Sequence, residues 1–250
     1  MIRRFMVGAA VVGVSLAAAS SGTQALDRSA TPGPVAMSPD GVSQLPDPSS
    51  FVAGVDNPYF PLPPGTMYVL KGVRDGVSQT DRVSVTNRTK QILGVETTVV
   101  RDIAQHRGGL LEKTFDWYAQ DVEGNVWYLG EDTATYDPSG HVTSTEGSWE
   151  AGVDGAEAGL IMEANPLPPD GYRQEFYAGH AEDQAWILTR GGSLSIPYGR
   201  VHRVLRTMEW SPLEPEVVDQ KLYATGLGIV SEISLAGGHE VASLVAVHRA

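Results

Sequence analysis

"DWYAQDVEGNVWYLGE", from Asp116 to Glu131, sets two Trp and two Tyr on either side of Gly124. Aromatic and β-branched residues that alternate with polar ones have the two-residue period of a strand, not the 3.6-residue period of a helix. A three-residue turn, Val122-Glu123-Gly124, with Gly124 in the left-handed conformation, makes the stretch a β-hairpin. That turn pairs Asp121 with Asn125, Ala119 with Trp127, Tyr118 with Tyr128 and Trp117 with Leu129. One face then carries Phe115, Trp117, Ala119, Trp127 and Leu129, a core face. The other carries Asp116, Tyr118, Gln120, Val126 and Tyr128, and is either solvated or turned into a cavity. A two-residue turn would swap the faces and set Asp116 opposite Glu131 as a carboxylate pair.

Working outward, strand patterns surround the hairpin. "NPYFPLPPG" (57–65) is too rich in proline for a central strand and reads as an extended lead-in lying across the body. Met67–Val73, "VSQTDRVSV" (77–85), "ETTVVRDIA" (96–104) and "LLEKTFDWYAQD" (110–121) then form an antiparallel meander with short turns. The stretch 137–171 is rich in Gly, Pro and Ala and reads as a long central connection folded over the sheet. Residues 172–186 fit either a broken helix or two short extended pieces. From Ile187 the strands resume to the end. The fold class expected is all-β with minor α: a curved antiparallel sheet, half-barrel or barrel, built from two meanders.

The two meanders look related. Aligning Gly94 with Gly199 sets Val99-Val100-Arg101 against Val204-Leu205-Arg206, and Tyr118-Ala119 matches Tyr223-Ala224. Chance similarity between two hairpins is the rival reading. Where the first has Asp116, Gln120 and Asn125, the second has Lys221, Thr225 and Ile229, so the polar residues of the first are not what a hairpin demands.

Residues 1–25 have a basic start (Arg3, Arg4), an apolar run and small residues before Ala25, the pattern of a cleaved secretory signal peptide. A Pro/Ser-rich linker follows over 26–50, leaving 51–250 as a single β-rich domain of a secreted, extracellular or periplasmic protein. There is no cysteine, hence no disulfide or thiolate metal site. The formal charge is −12 and becomes −14 once Arg3 and Arg4 leave with the signal. Such acidity disfavours nucleic acid and anionic membrane surfaces, and no membrane span is expected. Oligomeric state is not legible.

"LYATGLGIVSE" (222–232), with "GGHEVASLV" (237–245) after it, resembles the last strands of secreted bacterial half-barrel proteins related to lipoprotein carriers of the LolA type. That resemblance implies a curved sheet wrapped around helices and an apolar cavity for a lipid-like ligand. The chain departs from it in lacking a long covering helix. "DWYAQDVEGNVWYLGE" and "GSWEAGVDGAEAG" (147–159) also resemble uncharacterised secreted bacterial proteins, which bring no activity with them.

The expected ligand-binding residues are Asp116, Tyr118, Gln120, Tyr128 and Trp149, aromatic faces with polar handles around a small or apolar ligand. Trp149, with Met162, would anchor a lid. The enzyme alternative is an extracellular hydrolase or lyase on a carbohydrate or cell-envelope substrate. It would use paired carboxylates among Asp116, Asp121, Glu131 and Glu150, or His180 beside Glu182 and Asp183. A third alternative is a structural or partner-binding envelope protein. No cofactor is expected. A Ca²⁺ loop at Glu131, Asp132 and Asp137 has the oxygen ligands but fits no EF-hand spacing, and the six His are too scattered for zinc.

Overall fold

The computed structural model describes residues 44–250; the expected signal peptide and most of the expected linker lie outside them. Residues 44–50 are not loose: Leu45 packs against the core, and Pro48–Ser50 form one 3₁₀ turn capped by the Asp47 side chain. The described chain is β throughout and contains no α-helix. The first half holds β1 (Phe51–Val52), β2 (Met67–Arg74), β3 (Val77–Ile92), β4 (Val95–His106), β5 (Gly109–Asp121) and β6 (Val126–Tyr136). The connection after it holds β7 (Val142–Ser144), β8 (Trp149–Glu150), β9 (Glu157–Met162), β10 (Gly171–Arg173) and β11 (Glu175–Phe176). The second half holds β12 (Gln184–Arg190), β13 (Ser193–Ile196), β14 (Gly199–His202), β15 (Val204–Trp210), β16 (Val218–Ala224), β17 (Gly228–Ala236) and β18 (Glu240–His248).

The main sheet runs β10-β12-β15-β16-β17-β18-β2-β3-β4-β5-β6-β9-β11. Its two ends, β10 and β11, are separated in the chain by Gln174 alone. Residues 171–176 therefore act as one stave that pairs with β12 on one side and β9 on the other, and the sheet nearly closes into a barrel. The closure needs Gly159 on β9, because a Cβ there would stand 2.5 Å from the carbonyl oxygens of both Arg173 and Gln174. β13 and β14 form a separate hairpin outside this path.

Two expectations change here. The central connection is not merely folded over the sheet, since β9 is a stave of the barrel and β8 pairs with β6. Its glycines occupy turns, with positive φ at Gly147, Gly152 and Gly155, so short strands fit between them. Residues 172–186 take the extended option, as β10, β11 and the start of β12.

The Asp116–Glu131 hairpin keeps its expected three-residue turn and pairs Ala119 with Trp127 and Tyr118 with Tyr128. Below Tyr128 a β-bulge at Leu129 shifts the register, so Trp117 faces Gly130, not Leu129, and Asp116 faces Glu131. Gly130, at φ 138, permits the bulge: the Trp149 carbonyl oxygen occupies the place of its missing Cβ. Both faces are buried. Trp117, Ala119, Trp127 and Leu129 lie on the other face, where Lys90 sits 3.2 Å over the Trp117 ring. Asp116, Tyr118 and Tyr128 face the barrel interior.

Candidate functional site

The lead-in crosses one end of the barrel, as expected, and bridges two opposed turns. Asn57, 2 % exposed, is its anchor: its amide nitrogen donates to the carbonyls of Gly124 and Glu163, and its oxygen accepts from the amides of Tyr59 and Phe60. On the far side Gly226, in the β16–β17 turn, donates its N–H to the Pro58 carbonyl. Gln120 belongs to this crosspiece. Its oxygen accepts from the amides of Asp56 and Asn57, and its nitrogen donates to the Asp56 carboxylate.

Beneath the crosspiece lies a cavity of about 130 Å³, room for on the order of ten waters where one takes about 10–15 Å³. Phe60, Pro61 and Leu62 roof it. Its walls are sorted by depth, because successive inward residues of a strand lie two positions, about 6.6 Å, apart. The first row is aromatic. Tyr118 and Tyr128 stack with centroids 4.8 Å apart, Phe60 meets Tyr118 edge-on at 5.0 Å, and Tyr223 joins the lining from β16. The next row holds Asp116 opposite Glu131, with Tyr128 donating its hydroxyl to Asp116 at 2.8 Å. Two residues further down, Asp102 pairs across the strands with Thr114; two further again, Ala104 lies between Asp81 and Glu112. Glu175 and Asp183 join the lining from the closing stave and its neighbour.

Lys221, opposite Glu232, is the cation lining the cavity among the described residues. Its ammonium lies 2.8 Å from Glu209, which also accepts from Thr207 and Tyr223. Burial pulls this ammonium down, but Glu209 and then Glu232 hold it above the ordinary lysine value. Burial, reinforced by Glu175, pushes the Asp183 carboxyl up. Tyr223 and Tyr172 are likewise raised by burial and then by Glu209.

Three of the five expected ligand residues, Asp116, Tyr118 and Tyr128, line this cavity. Gln120 does not line it and holds the crosspiece. Trp149 sits in β8, donating its indole N–H to Glu175 at 2.7 Å and meeting Tyr128 edge-on, with no lid around it. Met162 is fully buried in β9. Of the acid candidates, Asp116 and Glu131 are brought together. Asp121 is absorbed by the turn, accepting from Glu123, Asn125 and the Trp127 indole. Glu150 binds Lys90 on the outside. His180 is exposed and stacks on Tyr177, away from the cavity that Asp183 lines.

The three residues of the expected Ca²⁺ loop do not converge. Glu131 points inward, its neighbour Asp132 is exposed, and Asp137 caps its own turn by accepting from Ser139 and His141. Among the described residues no three His, Asp or Glu side chains come together as a metal set. Sequence reasoning missed Asp81, Asp102, Lys221 and Glu232. The signal was present, since Asp81 and Asp102 stand at inward steps of the alternation in "VSQTDRVSV" and "ETTVVRDIA".

No family profile matches the chain, and no curated protein matches it. Among solved structures it is similar to a "putative exported protein with YmcC-like fold" from Bacteroides fragilis, at 14 % identity and a TM-score of 0.43. That match covers 76 % of this chain and 99 % of the other. It is also similar to a "putative lipoprotein" from Parabacteroides distasonis, at 12 % identity and a TM-score of 0.40, over 76 % of this chain and 98 % of the other. The LolA-type resemblance is not confirmed: in the described residues the sheet wraps around a cavity, not around helices.

Proposed function

We propose that this protein binds a small organic ligand inside the barrel, acting in the cell envelope or outside the cell as its leader-like N-terminus suggests. The observation that carries this reading is the roofed cavity, in which an aromatic row under the crosspiece gives way to carboxylates below. A barrel stabilised only by its core would fill that volume with aliphatic side chains, because a void and buried carboxylates both lower stability. Concave, partly aromatic sites with a few polar groups are the usual form of small-molecule pockets. The test is native mass spectrometry of the purified protein with solvent extraction of whatever accompanies it. A stoichiometric small molecule, absent from a Tyr118→Ala variant that still folds, is the expected result. No bound molecule of any class, together with no binding in a metabolite screen, would sink the proposal.

A second reading rests on Asp116 facing Glu131, a carboxylate pair of the kind that performs acid–base hydrolysis. It requires turnover of a glycoside or envelope substrate that is lost in Asp116→Asn without loss of stability.

A further inference from the structure

The cavity accounts for the inner face of the first meander and leaves its outer face without a role. We infer that the outer face of β2–β5 is a docking surface for a flexible acidic polysaccharide, a chain whose hydroxyls are interspersed with carboxylates.

Three observations carry it. The first is how charge is sorted across the sheet. Side chains alternate between the two faces along a strand, and residues paired in register share a face. Asp81, Asp102, Glu112 and Asp116 line the cavity. The opposite face of the same strands carries Lys71, Arg82, Arg101 and Lys113, and Arg88 reaches the Phe115 ring there at 6.0 Å. No acid points outward from these four strands. A chain of charge −12 thus gathers five of its 18 Lys and Arg on one face. Among the described residues none of the five is in an ion pair. Like charges gathered this closely repel one another, and an anionic partner relieves the repulsion.

The second is the path of the charges. Lys71, Arg82 and Arg101 step diagonally, one strand across and one outward row along at a time, and Lys113 lies one such step from Arg101 on β5. With strands about 4.8 Å apart and rows about 6.6 Å apart, each step is roughly 8 Å. The cations therefore follow the convex wall over four successive strands. A flat bilayer meets a convex wall along its crest alone, whereas a flexible chain bends with it. An extended anionic plane would also meet the acidic remainder of the surface. A single chain lying along the track is screened from that remainder beyond about 8 Å at physiological salt.

The third is what stands between the cations. Thr80 and Gln105 share the row of Lys71, and Ser84 shares that of Arg101. Hydroxyl and amide groups set among cations match a chain that carries hydroxyls among its carboxylates. The Phe115 ring is taken by Arg88 and by Lys113, the latter at 4.8 Å, so it is not offered to lipid or to a nucleobase.

The test is isothermal titration of the purified protein with alginate oligomers, with dextran oligomers of equal length as the uncharged chain. Saturable binding of alginate that weakens as sodium chloride is raised is expected, with no binding of dextran. An exposed ion pair is a small effect, about two- to fivefold for each cation lost. The triple variant Arg82→Gln, Arg101→Gln, Lys113→Gln should therefore bind alginate at least tenfold more weakly. The control triple Arg200→Gln, Arg203→Gln, Arg206→Gln makes the same change in net charge at exposed positions of the second half, and should alter binding less than twofold. Thermal melts separate loss of folding from loss of binding. If the first triple does not fold, the single exposed change Arg101→Glu should still weaken alginate more than Arg101→Gln does. Equal weakening in the two triples would show that net charge and not this face attracts the polymer, and overturns the inference. So does the absence of alginate binding. Capture of the protein by vesicles of phosphatidylglycerol and phosphatidylcholine, lost in the first triple and tighter than alginate at equal charge, assigns the face to a membrane and overturns it too.

Discussion

Substituting Gly159 by Ala tests whether the sheet closes. In an open strand this change is mildly favourable, by about 0.4–1 kcal/mol, because the unfolded chain loses freedom. Gly159 has no left-handed φ to protect, so strain at the residue itself does not oppose that gain. What opposes it is the closing stave. The new methyl would lie 2.5 Å from two backbone carbonyl oxygens, at Arg173 and Gln174. Ordinary contact begins near 3.4 Å, so β9 and residues 173–174 must part by roughly 0.5–0.9 Å, and neither partner is a flexible side-chain tip. Overpacking of this kind costs about 1–3 kcal/mol. The displacement also weakens the β9–β11 ladder at Glu175–Ala158 and the Tyr172 hydroxyl bond to Ile161, at about 1 kcal/mol each. The net expectation is a loss of about 2–4 kcal/mol. Urea unfolding should show the midpoint falling with the slope unchanged. Gly238→Ala, whose new methyl meets only the Ser234 side chain at 3.6 Å or beyond, is the control and should stay within about 0.5 kcal/mol. A Gly159→Ala protein as stable as its parent would show that residues 171–176 do not close the barrel over β9.

Other consequences are as direct. Glu240 is held up at about 7 by burial and then Glu232, against an ordinary glutamate value of 4.5. A carboxyl raised on folding contributes stability that is complete below 4.5 and is lost as pH rises through 7, so the parent should unfold more easily at pH 8 than at pH 5. Glu163 and Asp183, also raised by burial, add to that slope, so Glu240→Gln should remove only its own share, at most about 3 kcal/mol, and an unchanged pH profile in thermal melts would refute the assignment. Asn57→Ala removes four hydrogen bonds, two that tie the crosspiece to Gly124 and Glu163 and two that shape the crosspiece at Tyr59 and Phe60. It should cost about 2–4 kcal/mol and speed amide exchange at Tyr59 and Phe60; protection equal to the parent would show that the crosspiece is held by packing alone. Asp121→Ala strips the β5–β6 turn of its acceptor for Glu123, Asn125 and Trp127 and should cost a similar amount, read as a lower urea midpoint.

The fold was largely legible because strands, turns and a Pro-rich lead-in leave marks in local sequence. The three-residue turn at Gly124, the Tyr118–Tyr128 pair and the lead-in across the body all follow from residues adjacent in the chain. The bulge at Leu129 does not, because it is fixed by Trp149 approaching Gly130 from a strand that looked like part of a Gly-rich loop. Closure at Gly159 is equally non-local. The site was half legible for the same reason. Aromatic residues clustered in one hairpin drew attention to Asp116, Tyr118 and Tyr128. Asp81, Asp102, Lys221 and Glu232 come from four other strands, and only closure of the sheet turns their alternation into one wall. Gln120 braces the crosspiece and Trp149 bonds Glu175, and in sequence such side chains look like ones that face a cavity.

The internal comparison shows where the two halves of the wall part company. Val204-Leu205-Arg206 and Tyr223-Ala224 lie on adjacent strands, as their counterparts in the first half do, and Tyr118 and Tyr223 both line the cavity. One row below the tyrosines the aligned positions are Asp116 and Lys221, and each faces a glutamate on the next strand, Glu131 and Glu232. The second half thus sets opposite charges across the strands, which favours pairing, and the first sets like charges, which disfavours it. If the Asp116–Glu131 rung serves a ligand and not the fold, neutralising it should abolish binding and leave the protein folded. Asp116→Asn with Glu131→Gln should lose the ligand found by mass spectrometry while urea unfolding shows that the protein still folds. Lys221→Met, which leaves the buried Glu209 without its ammonium, should instead destabilise by about 3–5 kcal/mol. A double neutralisation that destabilises as much as Lys221→Met would mean that the Asp116–Glu131 rung is part of the fold's own support and not of a ligand site.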